Sequence, residues 1–232
     1  MAWDFADQIH ALTGYDADSS DDTDTGEDFS VLTNQWLTEA AKEVVSILPG
    51  EFQEKCIVST TLNNLNTTFD CSSTISSGGA VYSPGRLIAV TRSDGSYNQL
   101  CRQVSVALSS RIQDANDIMN YASTTDPAYY VKSDVVNVFP VPTSAQNAEV
   151  LYLANPVVSY DDTVIPNFPS EAEPLVVLRA AMTATEYLLA IEEDVELYGP
   201  ILANIKSQYK ERLMMLTTGS VMPPQQQQQG GR

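Results

Sequence analysis

The sequence has little of the chemistry that active sites and metal centres use. Its 232 residues include one histidine, His10, and three cysteines, none of them in a CxxC pair. The GxSxG, HExxH, Walker and GxGxxG patterns are all missing. An odd number of cysteines without paired spacing argues against a disulfide framework or a zinc site. We therefore expect no enzyme activity, no cofactor and no metal ion.

Basic residues are also scarce. The chain has 12 lysines and arginines against 30 acidic residues, which gives a net charge of -18 and a pI near 4.1. Such a chain repels nucleic acid, which argues against wrapping or reading DNA. We find no apolar run long enough to span a bilayer, and we expect no membrane partner and a cytoplasm-like compartment. Apolar residues make up 43%, enough to bury a proper core.

The acidic segment from residue 15 to 28 raises the question of calcium binding. An EF-hand loop needs a glycine at position six and a glutamate at position twelve. With Gly26 at position six, Leu32 falls at position twelve, so the motif fails. A looser cation site is the alternative to a solvated acidic arm, and it would use Asp21, Asp22, Asp24 and Asp28.

Other groups with a possible chemical role each have a structural interpretation that we favour. His10 fits a solvent-facing or interface histidine. Gly78-Gly79 and Pro84-Gly85 fit loops better than a phosphate cradle. The tyrosines could stack on bases or sugars, but core and interface packing is the better interpretation: Tyr129, Tyr130, Tyr152 and Tyr160. The acidic clusters fit helix caps or surface better than acid–base pairs: Asp161, Asp162, Glu192, Glu193 and Asp194. Cys56 and Cys101 are expected to be buried apolar residues.

Apolar periodicity predicts three long helices, at about 30–48, 170–192 and 195–216. The first is capped by Ser30 or Thr33 and ends at Pro49-Gly50. The second begins with a capping box formed by Ser170 and Glu173, and Pro174 lies in its first turn. Because few residues separate the last two helices, they should pack as an antiparallel hairpin. A short helix is also expected within residues 2–12.

Residues of about 55–160 are rich in threonine, serine, valine and isoleucine, which favours strands. KCIVSTTL and GRLIAVTRSDG are predicted strands, the second ending in a turn at Ser93–Ser96, with a loop over CSSTISSGGAVYSPG between them. AYYVKSDVVNVFPVP and AEVLYLANPVV are predicted to pair with each other. A short helix over 111–121 would point four residues inward: Ile112, Ala115, Ile118 and Met119.

The order of these elements predicts an α+β fold. A helical bundle would be built from both chain ends and carry a β-rich insertion of hairpins or a small sheet. We divide the chain into an N-terminal helix and acidic arm (1–29), a central domain (30–216) and a glutamine-rich C-terminal arm (217–232). Both arms are expected to be flexible in isolation.

The C-terminal half has a distinctive order of motifs. A Pro-x-Tyr strand at Pro127–Tyr130 is followed by a strand ending in Val-x-Pro at Val138–Pro142 and by Ile-Pro-x-Phe-Pro at Ile165–Pro169. An alanine-rich helix and a final helix, the last two predicted helices, come next. This order resembles that of the adaptor, or connector, proteins of tailed bacteriophages. The resemblance covers most of residues 30–216 and is one of overall pattern.

The resemblance implies a structural virion protein at the head–tail interface, assembled in the host cytoplasm. Such adaptors form homo-oligomeric rings, usually twelvefold, below the portal. They extend the channel for double-stranded genomic DNA without reading its sequence, and they attach tail or nozzle proteins. By the same analogy the C-terminal arm binds the portal, and its candidate residues are Thr217, Val221, Met222, Pro223, Pro224, Gln225, Gln229 and Arg232.

Three other functions remain as alternatives. The first is another neck or tail structural protein, such as a tail terminator, tail tube or tail completion protein. The second is an enzyme that uses His10 or a carboxylate pair. The third is a free calcium-binding module.

Overall fold

The computed structural model describes residues 3–15, 29–77 and 80–218. Within these ranges the chain is mixed α+β, as the sequence predicts, with five α-helices and two small sheets. It divides into two compact units: Met1–Phe52 together with Val158–Arg232, and Gln53–Val157. We call them the helical unit and the β unit.

Helix α1 spans Phe5–Thr13. The Asp4 carboxylate caps its first turn by accepting a hydrogen bond from the Asp7 amide at 2.8 Å, and Gly14 ends it with φ of 76°. A helix was expected here, but Tyr15 was assigned to the acidic arm. Tyr15 is instead buried, with its ring 5.5 Å from the ring of Trp36. Acidic residues follow Tyr15 in the sequence, and its position in the core was therefore not predicted.

Helix α2 spans Phe29–Ile47, so Ser30 and Thr33 lie inside the helix and the predicted caps are wrong. Its buried face is formed by Leu37, Ala40, Ala41, Val44 and Val45, whereas Ile47 at its end is exposed. Pro49-Gly50 ends the helix as predicted. Gly50–Gln53 then forms a short unpredicted helix, α3.

Helices α4 (Glu173–Glu192) and α5 (Val195–Thr217) form the predicted hairpin, but its capping box is wrong. The Ser170 hydroxyl donates to the Glu171 carboxylate, and Glu173 Oε1 accepts from the Ile165 amide at 3.0 Å. Pro174 does lie in the first turn of α4. The two helices pack on each other around Leu178, Ala181, Met182 and Ile205.

Helix α4 is the most buried helix of its unit. It contacts α1, α2 and α5, and Ala180, Ala181 and Ala184 are fully buried, which permits close helix packing. Arg179 Nε lies 2.7 Å from Glu43 Oε2 of α2.

Helix α4 is also apolar. Contrary to our expectation from the sequence, it meets the length and composition criteria for crossing a membrane, and it is the one described helix that does. Half of that stretch is buried within the protein. Packing among the helices accounts for this apolar composition without a bilayer.

The β unit contains two sheets around a core that includes Leu62, Val136, Val150 and Tyr152. In the first, the strand order is β1-β9-β4-β3, with β5 also paired to β4; in the second it is β2-β8-β7-β6. The strand bounds are β1 Ile57–Leu62, β2 Thr68–Asp70, β3 Ile75–Ser77, β4 Ala80–Ser93, β5 Asn98–Leu100, β6 Arg102–Gln103, β7 Ala128–Lys132, β8 Val135–Phe139 and β9 Ala148–Pro156. The predicted strand at β1 and the turn between β4 and β5 are confirmed.

The predicted pairing of the last strands is wrong. AYYVKSDVVNVFPVP contains two strands, β7 and β8, which pair with each other. Ser133 and Asp134 make their turn with φ of 51° and 61°. This left-handed turn carries no glycine, so its usual sequence signal is missing. Strand β9 lies in the other sheet, between β1 and β4.

The segment predicted as a loop, CSSTISSGGAVYSPG, is also mostly sheet. It supplies β3 and the start of β4, where Tyr82 is fully buried. A Cβ added at Gly85 would come within 2.6 Å of the Leu153 carbonyl oxygen, so glycine is needed there for close strand approach. The register of β4 against β9 shifts at this point, between Pro84 and Leu87.

The predicted helix over 111–121 is replaced by a 3-10 turn at Arg111–Gln113 and a series of turns. Ile112 is buried as expected. Ala115 is exposed, and Ile118 and Met119 are 90% and 87% exposed, the opposite of the prediction.

Candidate functional site

The predicted arm begins at the end of α5. Thr217 is the last residue of that helix, and its exposed hydroxyl donates to the Leu213 carbonyl at 2.9 Å. The other candidate residues lie outside the described part of the chain: Val221, Met222, Pro223, Pro224, Gln225, Gln229 and Arg232.

Helix α5 is buried at two positions, Tyr198 and Ile205, and exposes apolar side chains at both ends. Met214 and Met215 near its end are 64% and 61% exposed, and Val195 and Leu197 in its first turn are 66% and 52% exposed. The Asp194 carboxylate accepts from the Leu197 amide at 3.0 Å, and the Tyr198 hydroxyl donates to Glu192 at 2.7 Å. These hydrogen bonds hold the first turn to the α4–α5 connection.

Two grooves flank the C-terminal end of α5, and both include Met215 and Leu216. The first has a volume of about 470 Å³ and is lined also by Glu171, Gln208, Glu211 and Arg212. The second has a volume of about 690 Å³ and lies against the α2–α3 connection. It is lined by Pro49, Gly50, Glu51, Phe52, Met215, Leu216, Thr217 and Thr218. We call it the α5-end groove.

Charge is divided very unevenly between the two units. Residues 53–157 contain six basic and eight acidic residues, a net charge of -2. The remainder of the chain contains six basic and 22 acidic residues and so carries -16. The α5-end groove belongs to this strongly acidic unit.

The other candidate groups make local structural contacts. His10 is exposed on α1, with Nδ1 3.1 Å from the Tyr15 carbonyl oxygen. Asp162 accepts from the Ser159 amide at 2.8 Å, and Asp161 is exposed. Glu193, with φ of 55°, is the residue at which α4 ends. The acidic residues proposed for a loose cation site, and the glycine pair 78–79, fall outside the described residues.

The four tyrosines have different surroundings. Tyr129 and Tyr152 are buried in the β unit, and the Tyr152 ring packs 5.1 Å from the ring of Phe69. Tyr130 stacks on Phe139 at 5.8 Å, whereas Tyr160 belongs to the helical unit. Core packing, as predicted, is confirmed for Tyr129 and Tyr152.

The three cysteines form no disulfide bond. Burial raises the pKa of Cys56 to about 11 and that of Cys101 to about 12. Burial also raises the pKa of Cys71, helped by the negative charges of Asp134 and Asp70. All three thiols are therefore protonated and weakly nucleophilic near neutral pH. Within the described ranges, no three His, Cys, Asp or Glu side chains are grouped so as to hold a metal ion.

Sequence reasoning missed the α5-end groove because its walls come from residues 49–52 and 215–218, which are far apart in the chain. It also misplaced the exposed Ile118–Met119 pair, because a run of apolar residues at helical spacing was interpreted as a buried face. No known protein-family model matches the sequence, and a search of curated proteins finds no significant match.

Proposed function

We propose that this chain is the subunit of a head–tail adaptor ring in a tailed bacteriophage. The ring, twelvefold in the usual arrangement, lies below the portal in the virion neck, extends the DNA channel and attaches tail or nozzle proteins. The protein is structural and needs no cofactor.

The observation that carries this proposal is the exposure of apolar side chains at the C-terminal end of α5. The helix leaves its packed core, exposes Met214 and Met215, and leads directly into residues 217–232. A packed helix that leads into an arm beside two grooves with partly apolar walls suits a subunit that must hold a second protein. We assign the portal to the arm and neighbouring copies to the remainder of the subunit.

The helices support the same proposal. Contacts of α4 with α1 and α2 bring together segments from both ends of the chain. We propose that the helices act as one bundle carrying the β unit as an insertion, with arms at both ends, the layout that the resemblance to phage adaptors implies.

The charge supports passage of DNA rather than its binding. A ring of subunits, each with a net charge of -18, would repel a duplex from the channel wall. Low affinity for the phosphate backbone lets the genome slide through.

The test is to identify what the arm touches. A photo-crosslinking residue placed at Gln225, one of the candidate arm residues, in assembled virions should form an adduct with the portal protein. An adduct with tail proteins alone would favour the alternative of another neck or tail structural protein. Adducts with neither would contradict the proposal. The same residue placed at Leu65, which is 91% exposed in the β unit, serves as a position-specific control.

A further inference from the structure

We propose that neighbouring copies of this chain join head to tail, with the Ile118–Met119 tip of one copy seated in the α5-end groove of the next. The inference deepens the proposed function, on which it rests, by naming the contact that builds the ring.

The tip belongs to a loop held firmly by hydrogen bonds. Arg102 Nη2 donates to the Asn120 and Tyr121 carbonyls at 2.6 and 3.2 Å, and its Nε lies 3.0 Å from Asp126 Oδ2. The Asp117 carboxylate accepts from Asn120 Nδ2 at 2.9 Å. A loop already fixed in this way loses little conformational entropy when it binds.

Buried apolar residues anchor the base of the same loop. Ile112 and Ala122 are 1% and 2% exposed and cluster with Ala128, and the Ala122 amide donates to the Ile112 carbonyl at 2.9 Å. Above this base, Ile118 and Met119 are 90% and 87% exposed. Two adjacent large apolar side chains at a rigid, exposed tip are suited to fill a pocket on a partner.

The α5-end groove suits such a tip in size and lining. Its volume of about 690 Å³ exceeds what two apolar side chains require, and Pro49, Met215 and Leu216 offer apolar walls. Glu51 supplies a carboxylate at its edge. Arg111, beside the tip, is 62% exposed and lies 3.5 Å from Asp117 of its own loop, so its guanidinium remains open to a second carboxylate.

Charge disfavours one alternative, the contact between two helical units. Two helical units, each at -16, would repel each other strongly if they met face to face. The β unit carries only -2, so contact between the β unit of one copy and the helical unit of the next avoids most of that repulsion. A contact between two different surfaces of identical chains repeats from copy to copy, and it forms a ring where the rotation between copies closes.

The experiment measures self-association of the full-length chain by sedimentation equilibrium. Met119→Asp on the tip and Met215→Asp in the groove should each raise the dissociation constant about tenfold or more, because a carboxylate would be buried in an apolar contact. Matched controls are Leu65→Asp and Met214→Asp, which add the same charge at exposed apolar positions outside the contact and should associate like the wild type.

A mixture of the two variants gives the sharper result. The Met119→Asp chain keeps a working groove and the Met215→Asp chain keeps a working tip. Mixing them should therefore produce a one-to-one dimer of the two variants that grows no further, whereas a symmetric contact between like surfaces would give no mixed dimer.

Self-association of both variants at wild-type strength would overturn the inference and leave the proposed function standing. So would self-association that appears only after truncation following Thr218, because the chain's own arm would then be the occupant of the groove. A wild-type chain that is monomeric at every concentration also overturns it, and binding to the portal then decides the proposed function separately.

Discussion

At the scale of single residues, Arg92 ties together two connections of the β unit. Its side chain is 2% exposed, and Nε donates to the Pro140 carbonyl at 2.8 Å. Nη1 donates to the Ser93 carbonyl at 3.1 Å, and Nη2 to Gln146 Oε1 at 3.3 Å. One guanidinium thus satisfies oxygens from the β4–β5 turn and from the connection between β8 and β9.

We expect Arg92→Lys to lower the free energy of unfolding of the β unit by about 2 to 4 kcal/mol, because a single ammonium cannot reach the same oxygens and stays buried. The matched control is Arg86→Lys on the same strand, where the side chain is exposed and the change should be within about 0.5 kcal/mol. Urea unfolding followed by far-ultraviolet circular dichroism measures both. Equal stability of the two variants would contradict this role.

The buried thiols predict how stability responds to alkali. Cys56 and Cys101 have folded pKa values of about 11 and 12, above the ordinary 9.0. Above pH 9 the unfolded chain therefore releases protons that the folded chain keeps, so stability is full below about pH 9 and falls as the pH rises toward 12.

The expected slope is up to about 1.4 kcal/mol per pH unit for each thiol. Urea unfolding measured from about pH 8 to about pH 11 should show it, and Cys101→Ala should reduce it. The control is Cys71→Ala, because Cys71 is only half-buried and should change the slope less. A flat profile for the wild-type chain would show that both thiols ionise equally in the folded and unfolded states.

At the scale of elements, two residues define the connection between α4 and α5. Asp194→Ala removes the cap on the Leu197 amide and should cost about 1 kcal/mol of stability. Glu193→Gly should be neutral or stabilising by up to about 1 kcal/mol, because glycine adopts φ of 55° without a Cβ penalty.

Thermal unfolding followed by Trp36 fluorescence measures these changes, because both tryptophans lie in the helical unit. Glu196→Ala, an exposed acidic residue in the first turn of α5, should change stability by less than about 0.5 kcal/mol. If Asp194→Ala and Glu196→Ala changed stability by the same amount, the Asp194 cap would not stabilise the connection between α4 and α5.

Sequence patterns predicted the helices far better than the strand pairing. Periodicity located α2, α4 and α5 because their buried residues recur every three or four positions, as with Leu178, Ala181 and Thr185. It could not locate β7 and β8, because the turn at Ser133–Asp134 lacks glycine. Which strand neighbours β9 depends on contacts across the whole β unit, and local sequence does not contain that information.

The candidate site could be predicted only in part. The sequence indicated that a helix ends near residue 216 and that a different composition follows. It did not indicate the α5-end groove, whose walls meet only after folding, or the exposure of Ile118 and Met119. Their apolar character was visible in the sequence, but their surroundings were not.

At the scale of the whole molecule, we assign different roles to the two units because they differ in net charge. The helical unit, at -16, suits a surface facing solvent, DNA or a basic partner, and it leads into the arm. The β unit, at -2, suits contact between copies. These assignments follow from electrostatic repulsion and set the orientation in the proposed ring.

The central claim is that residues after Thr218 join this chain to the portal. The most direct measurement compares binding to purified cognate portal rings by the full-length chain, a chain ending at Thr218, and a full-length chain with residues 219–232 in scrambled order. The truncated chain retains every element of the described fold and both grooves. We predict that the full-length chain binds, and that the truncated and scrambled chains keep the native circular dichroism spectrum but lose binding at least tenfold, about 1.4 kcal/mol. Undiminished binding by the truncated chain would contradict the account.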